Sequence, residues 1–286
     1  MTTDYHAVRM TSLRAALGRL TYRLARLLPS SVTVTLQNLA GRSPAARGIL
    51  RRITGLAREG VYKIASGPAA GMLIDVSHSR PSYVLGTAEP EMQQFLRANA
   101  LPGGVVLDLG ANVGFFSLVS AALVGPQGRV VAYEPFPLNG AALRRNIELN
   151  GLTTVEVVQA AVAGRAGTAE FSVGLSDQDG SLVGRSGAGS ISVATVAVDD
   201  EMRRLGLRPT LIKIDVEGAE ADAITGMTQT LEQARPIVIC EMHETVHRPD
   251  HPVSRTLRDL GYTLSWLEKG VDEASEYWAP HLIAIP

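Results

Sequence analysis

Two short pairs of ionisable residues stand out in the chain. IKIDVEG places Asp215 and Glu217 two residues apart, and ICEMHE does the same with Glu241 and His243. Each pair closes an apolar run that reads as a strand, and residues i and i+2 of a strand share a face. If strand geometry persists that far, two strand ends carry four such groups toward one crevice. A histidine, or a carboxylate with a raised pKa, can take the proton of a hydroxyl in a transition state. His243 is the first candidate for that base, and Asp215 or Glu217 is the alternative or the group that orients the acceptor. A divalent cation is the rival explanation of the cluster, but two short pairs without a visible third contribution lead us to assign no metal. Glu220 reads as part of the solvated first turn of a helix. His6, His78, His247, His251 and His281 read as structural.

A second group lies upstream. In VVLDLGANVGFFS an apolar strand ends at Asp108, and Gly110, Asn112 and Gly114 turn the chain into a helix whose N-terminus offers unpaired amide donors. A dinucleotide site would show G-x-G-x-x-G. Here the pattern is D-x-G-x-N-x-G, with a carboxylate where a pyrophosphate would be repelled and an ammonium or sulfonium group accepted. About twenty residues on, Glu134 in VVAYEPFP is placed to receive a ribose diol, and Pro135 with Phe136 to pack on an adenine face. Together these describe an adenosine site without phosphates, and an NAD-dependent oxidoreductase is disfavoured by the missing middle glycine.

The elements that must position these residues alternate. Helices are expected at 91–100, 114–123, 137–150, 219–232 and 252–260, and strands at 105–110, 129–134, 155–160, 210–218, 236–244, 262–267 and 281–286. Continuous apolar strands between helices imply an α/β fold, with a largely parallel sheet covered on both faces and ligands bound beyond the carboxyl ends of its strands. Two further β-like runs, 168–173 and 191–198, flank a Gly- and Ser-rich segment at 174–190 that reads as a mobile loop or a lid.

Upstream, apolar residues from Met10 to Leu28 recur at helical spacing with arginines between them, and 41–60 reads as a second basic helix. Residues 61–66 and 72–77 read as a hairpin. We divide the chain into a basic helical and hairpin extension, 1–84, and a main domain, 85–286.

The 286 residues carry 27 basic and 28 acidic side chains, so nothing global suggests nucleic acid. The distribution is lopsided: ten arginines against Asp4 and Glu59 in the first 60 residues give +8 there and −9 beyond. The 10–28 helix is expected to pack on the body, with its basic face open to weak contact with a membrane surface or an acidic partner. The single cysteine, Cys240, cannot form an internal disulfide and reads as a small buried hydrophobe, consistent with a cytoplasmic protein. The sequence does not fix the oligomeric state.

These residues resemble the FkbM family of S-adenosylmethionine-dependent methyltransferases, within the Rossmann-like (class I) methyltransferases. The likeness runs from LGTAEPEM at 85–92 through LDLGANVGFFS, YEPFPLNGAALRRNIELNG, VAVDD and IKIDVEGAEADAITGM to PIVICEMHE at 236–244. Ala88 stands where an aromatic residue is common, and Cys240 where an aliphatic one is usual. The resemblance implies a seven-stranded sheet whose last strand is antiparallel. It also implies cofactor contacts from Asp108, Gly110, Asn112, Gly114 and Glu134, and from Glu89 ahead of the first core strand. The expected activity is O-methylation of a hydroxyl on a sugar, glycan or polyketide-like natural product. The alternative is a catalytically silent nucleoside-binding scaffold that docks through its basic N-terminal helix.

Overall fold

Four apolar runs, VVLDL, RVVAY, LIKI and IVICE, form the middle of the main sheet, and nearly every residue in them is buried. Strands covered on both faces have no solvent side to alternate toward, which is why they read as unbroken apolar stretches. The computed structural model describes residues 60–75, 80–173, 180–181, 189–243, 251–268 and 279–286. The basic segments at 10–28 and 41–59, and most of the Gly- and Ser-rich segment at 174–190, lie outside the described residues. The chain divides into two compact units, Met1–Pro90 and Glu91–Pro286.

In the first unit, β1 (Val61–Lys63) pairs antiparallel with β2 (Leu73–Asp75), as the hairpin reading expects, and a short helix α1 (Pro81–Leu85) follows. Ala65 N–H donates to the Val84 carbonyl at 2.9 Å and Ser66 Oγ to the Leu85 carbonyl at 2.6 Å, which ties the hairpin to the helix.

The second unit follows α2 (Pro90–Asn99) with an alternation of β3 (Val105–Leu109), α3 (Phe115–Val124), β4 (Arg129–Tyr133), α4 (Pro137–Leu149) and β5 (Val155–Val158). A side excursion of β6 (Ala161–Val162), β7 (Gly167–Val173), β8 (Gly180–Ser181) and β9 (Gly189–Val196) comes next. The chain returns through α5 (Val198–Leu205), β10 (Leu211–Ile214), α6 (Glu220–Thr225), α7 (Thr228–Ala234) and β11 (Ile237–Glu241). It ends with α8 (Pro252–Asp259), β12 (Thr263–Trp266) and β13 (His281–Ile285). The seven-stranded sheet has the order β12-β13-β11-β10-β3-β4-β5. Strands β11, β10, β3, β4 and β5 run parallel, and β13, the last in the chain, is antiparallel to both its neighbours. This Rossmann-like arrangement is the one the sequence leads one to expect. Successive strands proceed outward from β3 in both directions, so the crevice beyond β3 and β10 is the topological switch point.

One detail differs from the sequence reading and one adds to it. The helix expected at 219–232 breaks into α6 and α7 at Gly226 and Met227. A Cβ on Gly226 would come within 2.1 Å of the Ala163 carbonyl oxygen, and Asp199 accepts hydrogen bonds from the Gln229 and Thr230 amides to start the second piece. The runs near 168–173 and 191–198 do not join the main sheet. They form a separate four-stranded sheet of order β6-β9-β7-β8, which brings Phe171 over Ala161.

Candidate active site

A cleft of about 570 Å³ opens at the switch point, lined by Gly110 and Asn112 after β3, Glu134 and Pro135 after β4, and Asp215 to Glu217 after β10. Asn139 of α4 and Ala161, Val162 and Phe171 from the side sheet complete much of its wall.

The turn after β3 is held by its neighbours. Gly110 has φ of +79°, and a Cβ there would lie 1.8 Å from the Asp215 carbonyl oxygen. Its lack of a side chain is therefore demanded by the contact between the ends of β3 and β10, in addition to the close ligand approach expected from the sequence. Gly114 caps α3, where a Cβ would meet the Leu143 side chain at 2.4 Å. Asn112 adopts a left-handed backbone, φ 51°, a conformation that asparagine tolerates better than most residues. Its amide donates to Glu134 Oε2 at 2.8 Å, while the Phe136 amide donates to Oε1 at 2.8 Å. Glu134 is 5% exposed. Burial lifts its pKa to about 7 against the opposing pull of the two backbone donors, Lys213 and Asn139. Asn139 is itself buried, and its Oδ1 has no hydrogen-bond partner among the described residues. A buried carboxylate in a cleft wall suits a ligand rich in hydroxyl and amino donors. A nucleoside is such a ligand.

Asp108 lies beneath this surface. It is 1% exposed and faces Lys213 across the parallel β3–β10 register, and Lys213 is 3% exposed. The ammonium stands 3.2 Å from Asp108 Oδ1, donates to the Gly110 carbonyl at 2.9 Å, and is 3.5 Å from Asp215 Oδ2. Ser117 donates to Asp108 Oδ2 at 2.6 Å. Asp108, expected to cradle the ligand, lies below the cleft lining, where its Oδ2 accepts from Ser117 and its Oδ1 faces Lys213.

On the opposite side the structure gathers Asp215, Glu217, Glu241 and His243. The i, i+2 argument is only partly the reason. Strand β10 ends at Ile214, and Glu217 faces the cleft from a turn with φ of 52°. The His243 side chain is 2% exposed. Its Nε2 lies 3.5 Å from Glu217 Oε2, 3.6 Å from Glu241 Oε1 and 3.8 Å from Asp215 Oδ1. Its Nδ1 is 2.9 Å from Glu220 Oε1, an oxygen that also accepts from the Gly218 amide at 3.0 Å. Glu220 is 1% exposed, so the solvated role expected for it is overturned: opposite a buried imidazole, it orients the ring. Burial alone would depress the His243 pKa. The Glu220 hydrogen bond and the fields of Asp215, Glu217 and Glu241 outweigh it and lift the pKa to about 9. These neighbours therefore favour the protonated ring at the position where the sequence leads one to expect a base. His281, expected to be structural, is paired across β11–β13 with Glu241, its Nε2 3.8 Å from Glu241 Oε2 and its Nδ1 2.5 Å from Glu268 Oε1.

Of the remaining expected residues, Phe136 stacks on Phe171, with ring centroids 6.2 Å apart and planes at 20°. It is Phe171, with Pro135, that lines the cleft. Glu89 belongs to the first unit, where its backbone is left-handed at φ 42°. Cys240 is fully buried, and burial pushes its thiol well above the usual range, so the reading of an inert core residue fits. Sequence reasoning passed over Lys213, Asn139 and Phe171, and placed the buried Glu220 in solvent. Lys213 did leave a signal, a lone charge inside the apolar strand LIKI. Phe171 left none, because its strand belongs to another sheet.

The Methyltransferase FkbM domain model matches residues 108–264, more than half of the chain and all of the cleft residues named above. The 2-O-methyltransferase NoeI of Sinorhizobium fredii is 28% identical over 213 residues, covering 66% of this chain and 86% of that protein. The hexuronic acid methyltransferase AglP of Haloferax volcanii is 26% identical over 168 residues, 57% of this chain and 65% of its own length. A solved FkbM methyltransferase from Methylobacillus flagellatus superposes on 71% of this chain and 53% of that one, with TM-score 0.44 and 17% identity. Among the described residues no helix is long and apolar enough to cross a membrane. With its sheet order, its cleft at the switch point and the extent of the domain match, the chain belongs to the FkbM family of S-adenosylmethionine-dependent methyltransferases.

Proposed function

We propose that this methyltransferase acts on a hydroxyl group, with a sugar or glycan hydroxyl as the first acceptor class and a polyketide-like alcohol as the second. The observation that carries this reading is a single cleft with two chemically different ends. Glu134 and Asn139 line one side, and Asp215 and Glu217, backed by His243, line the other. Bound S-adenosylmethionine supplies an electrophilic methyl carbon whose bond to sulfur breaks as its bond to the acceptor oxygen forms, leaving a neutral thioether.

The protein's own contribution is placement and proton handling. Glu134 accepts from the nucleoside's hydroxyls, and the turn after Gly110, whose amides are spent on Tyr133, Glu134, Asn112 and Ala111, holds that carboxylate in place. Asp215 and Glu217, 28% and 34% exposed, receive the acceptor hydroxyl and take up its proton. His243, held by Glu220, keeps these two carboxylates in place. Positioning two reactants accounts for the larger share of acceleration in such a transfer, and proton removal for the smaller. The names of the related proteins, a 2-O-methyltransferase and a hexuronic acid methyltransferase, support a sugar acceptor.

The test is incubation of the full chain with methyl-labelled S-adenosylmethionine and a panel of saccharides, uronic acids, polyketide-like alcohols and amines, read by mass spectrometry. A gain of one methyl group on oxygen is expected. Transfer confined to amines refutes the reading.

A further inference from the structure

We propose that Asp215, Glu241 and His243 form a binding site for one divalent cation of the Mg²⁺ or Mn²⁺ class, with its open positions toward the acceptor side of the cleft. The inference deepens the hydroxyl-acceptor reading and rests on it for the cation's role, but not for its binding.

Three observations carry it. One ligand atom from each of the three residues lies within 4.8 Å of the other two. The His243 Nε2 to carboxylate separations of 3.6 Å to Glu241 and 3.8 Å to Asp215 exceed hydrogen-bond length. Adjacent donors on an octahedral ion with bonds of about 2.1–2.2 Å stand roughly 3.0–3.1 Å apart, so the side chains would close by roughly 0.5–0.8 Å, a rotamer-scale adjustment, to bind it. Glu217 Oε2, 3.5 Å from the same nitrogen, stands where a fourth oxygen would join.

The second observation is how the imidazole is held. Nδ1 faces Glu220, a buried carboxylate anchored by the Gly218 amide, so Nε2 is the nitrogen turned into the cluster, on a side chain only 2% exposed. A carboxylate behind the far nitrogen of a histidine is how proteins fix a metal-ligating ring. Glu241 is steadied from its other side by His281, which has the same support from Glu268.

The third is charge. Asp108, Asp215, Glu217, Glu220 and Glu241 face Lys213 and His243, so these seven groups sum to −3 even with the imidazole protonated. Like charges at this density repel, and a divalent ion that displaces the Nε2 proton relieves them. An oxygen-rich set with one imidazole and no thiolate suits Mg²⁺ or Mn²⁺ better than a soft ion. Because Asp215 and Glu217 line the cleft, an ion here would meet an acceptor oxygen and make its proton easier to lose.

The experiment is titration of the chelator-stripped full chain with Mn²⁺, followed by loss of the free-ion electron paramagnetic resonance signal. S-Adenosylhomocysteine calorimetry on the same samples reports folding. One Mn²⁺ per chain is expected, weakened at least tenfold by Glu241→Gln or His243→Gln. Glu220→Gln, which touches no ion directly, should weaken it roughly 10–100-fold through the loosened ring. No binding up to about 1 mM Mn²⁺ by chain that still binds S-adenosylhomocysteine overturns the site. So does binding that none of the three substitutions alters. Failure of the acceptor reading looks different: Mn²⁺ binds and responds to the substitutions, yet no hydroxyl in the panel is methylated.

Discussion

Glu134 offers a direct test of how the nucleoside is held. Burial raises its pKa from 4.5 to about 7, so the carboxylate is half protonated near neutrality. A ribose diol donates hydrogen bonds, and only the ionised carboxylate accepts fully at both oxygens, so nucleoside affinity should follow the ionised fraction. That fraction is about nine-tenths at pH 8 and about one-tenth at pH 6. The affinity should therefore fall roughly tenfold on acidification, about 1.4 kcal/mol. The ligand of choice is 5′-methylthioadenosine, which keeps the adenine and ribose but has no amino-acid group to titrate in this range. Calorimetry at pH 6, 7 and 8 gives the slope, and Glu134→Gln should flatten it. The same shift acts on the free protein in the opposite sense. The folded-state pKa lies above the unfolded one, so the stability associated with this group is fully present below about 4.5 and is lost as pH rises through about 7, by roughly 3 kcal/mol. A saturating nucleoside should consequently raise the Tm more at pH 8 than at pH 6. Affinity that is flat, or that grows on acidification, would refute the assignment of Glu134 as an acceptor for the ribose.

Three other outcomes follow from the geometry. Lys213→Met strands the buried Asp108 carboxylate and should cost about 3–5 kcal/mol in urea unfolding, most of it recovered in the double variant Asp108→Asn/Lys213→Met. If the double variant is no more stable than the single one, the ion pair is not the cause. His243→Ala should lower turnover about a hundredfold while leaving the Kd for S-adenosylhomocysteine within about threefold; comparable losses in both would contradict the division of the cleft. Gly110→Ala, whose new Cβ meets the Asp215 carbonyl at 1.8 Å, should unfold the chain or cost several times the ~1 kcal/mol expected of Gly206→Ala. Gly206, the left-handed cap of α5, also has positive φ but nothing within 4 Å, so equal Tm losses would show that backbone conformation alone matters.

Much of the architecture was legible because its signals are local. VVLDL, RVVAY, LIKI and IVICE declare buried parallel strands by their lack of alternation, and the D-x-G-x-N-x-G turn with Glu134 twenty residues on marks the nucleoside end. The acceptor end was legible in its residue types but not in their states. Asp215, Glu217, Glu241 and His243 were identifiable as a cluster. That His243 would be protonated depends on Glu220, which sits on a helix and meets the ring only after β10 and β11 pair. The burial of Asp108 was hidden for a similar reason: its partner Lys213 is 105 residues away and becomes a neighbour only through the β3–β10 register. The helix break at Gly226 likewise reflects a carbonyl of Ala163, which no local pattern can announce.

Lys213 also sets a spacing on which the whole cleft depends. By grasping the Gly110 carbonyl, Asp108 and Asp215 together, it bolts the two strand ends that flank the crevice to a common origin. The distance between the donor half and the recipient half is then a property of the sheet and not of the loops above it. Segments around the rim can be exchanged, lengthened or recoloured with new side chains to greet a different recipient molecule, and the donor stays aligned. A scaffold of this kind can diversify its customers without relearning its chemistry.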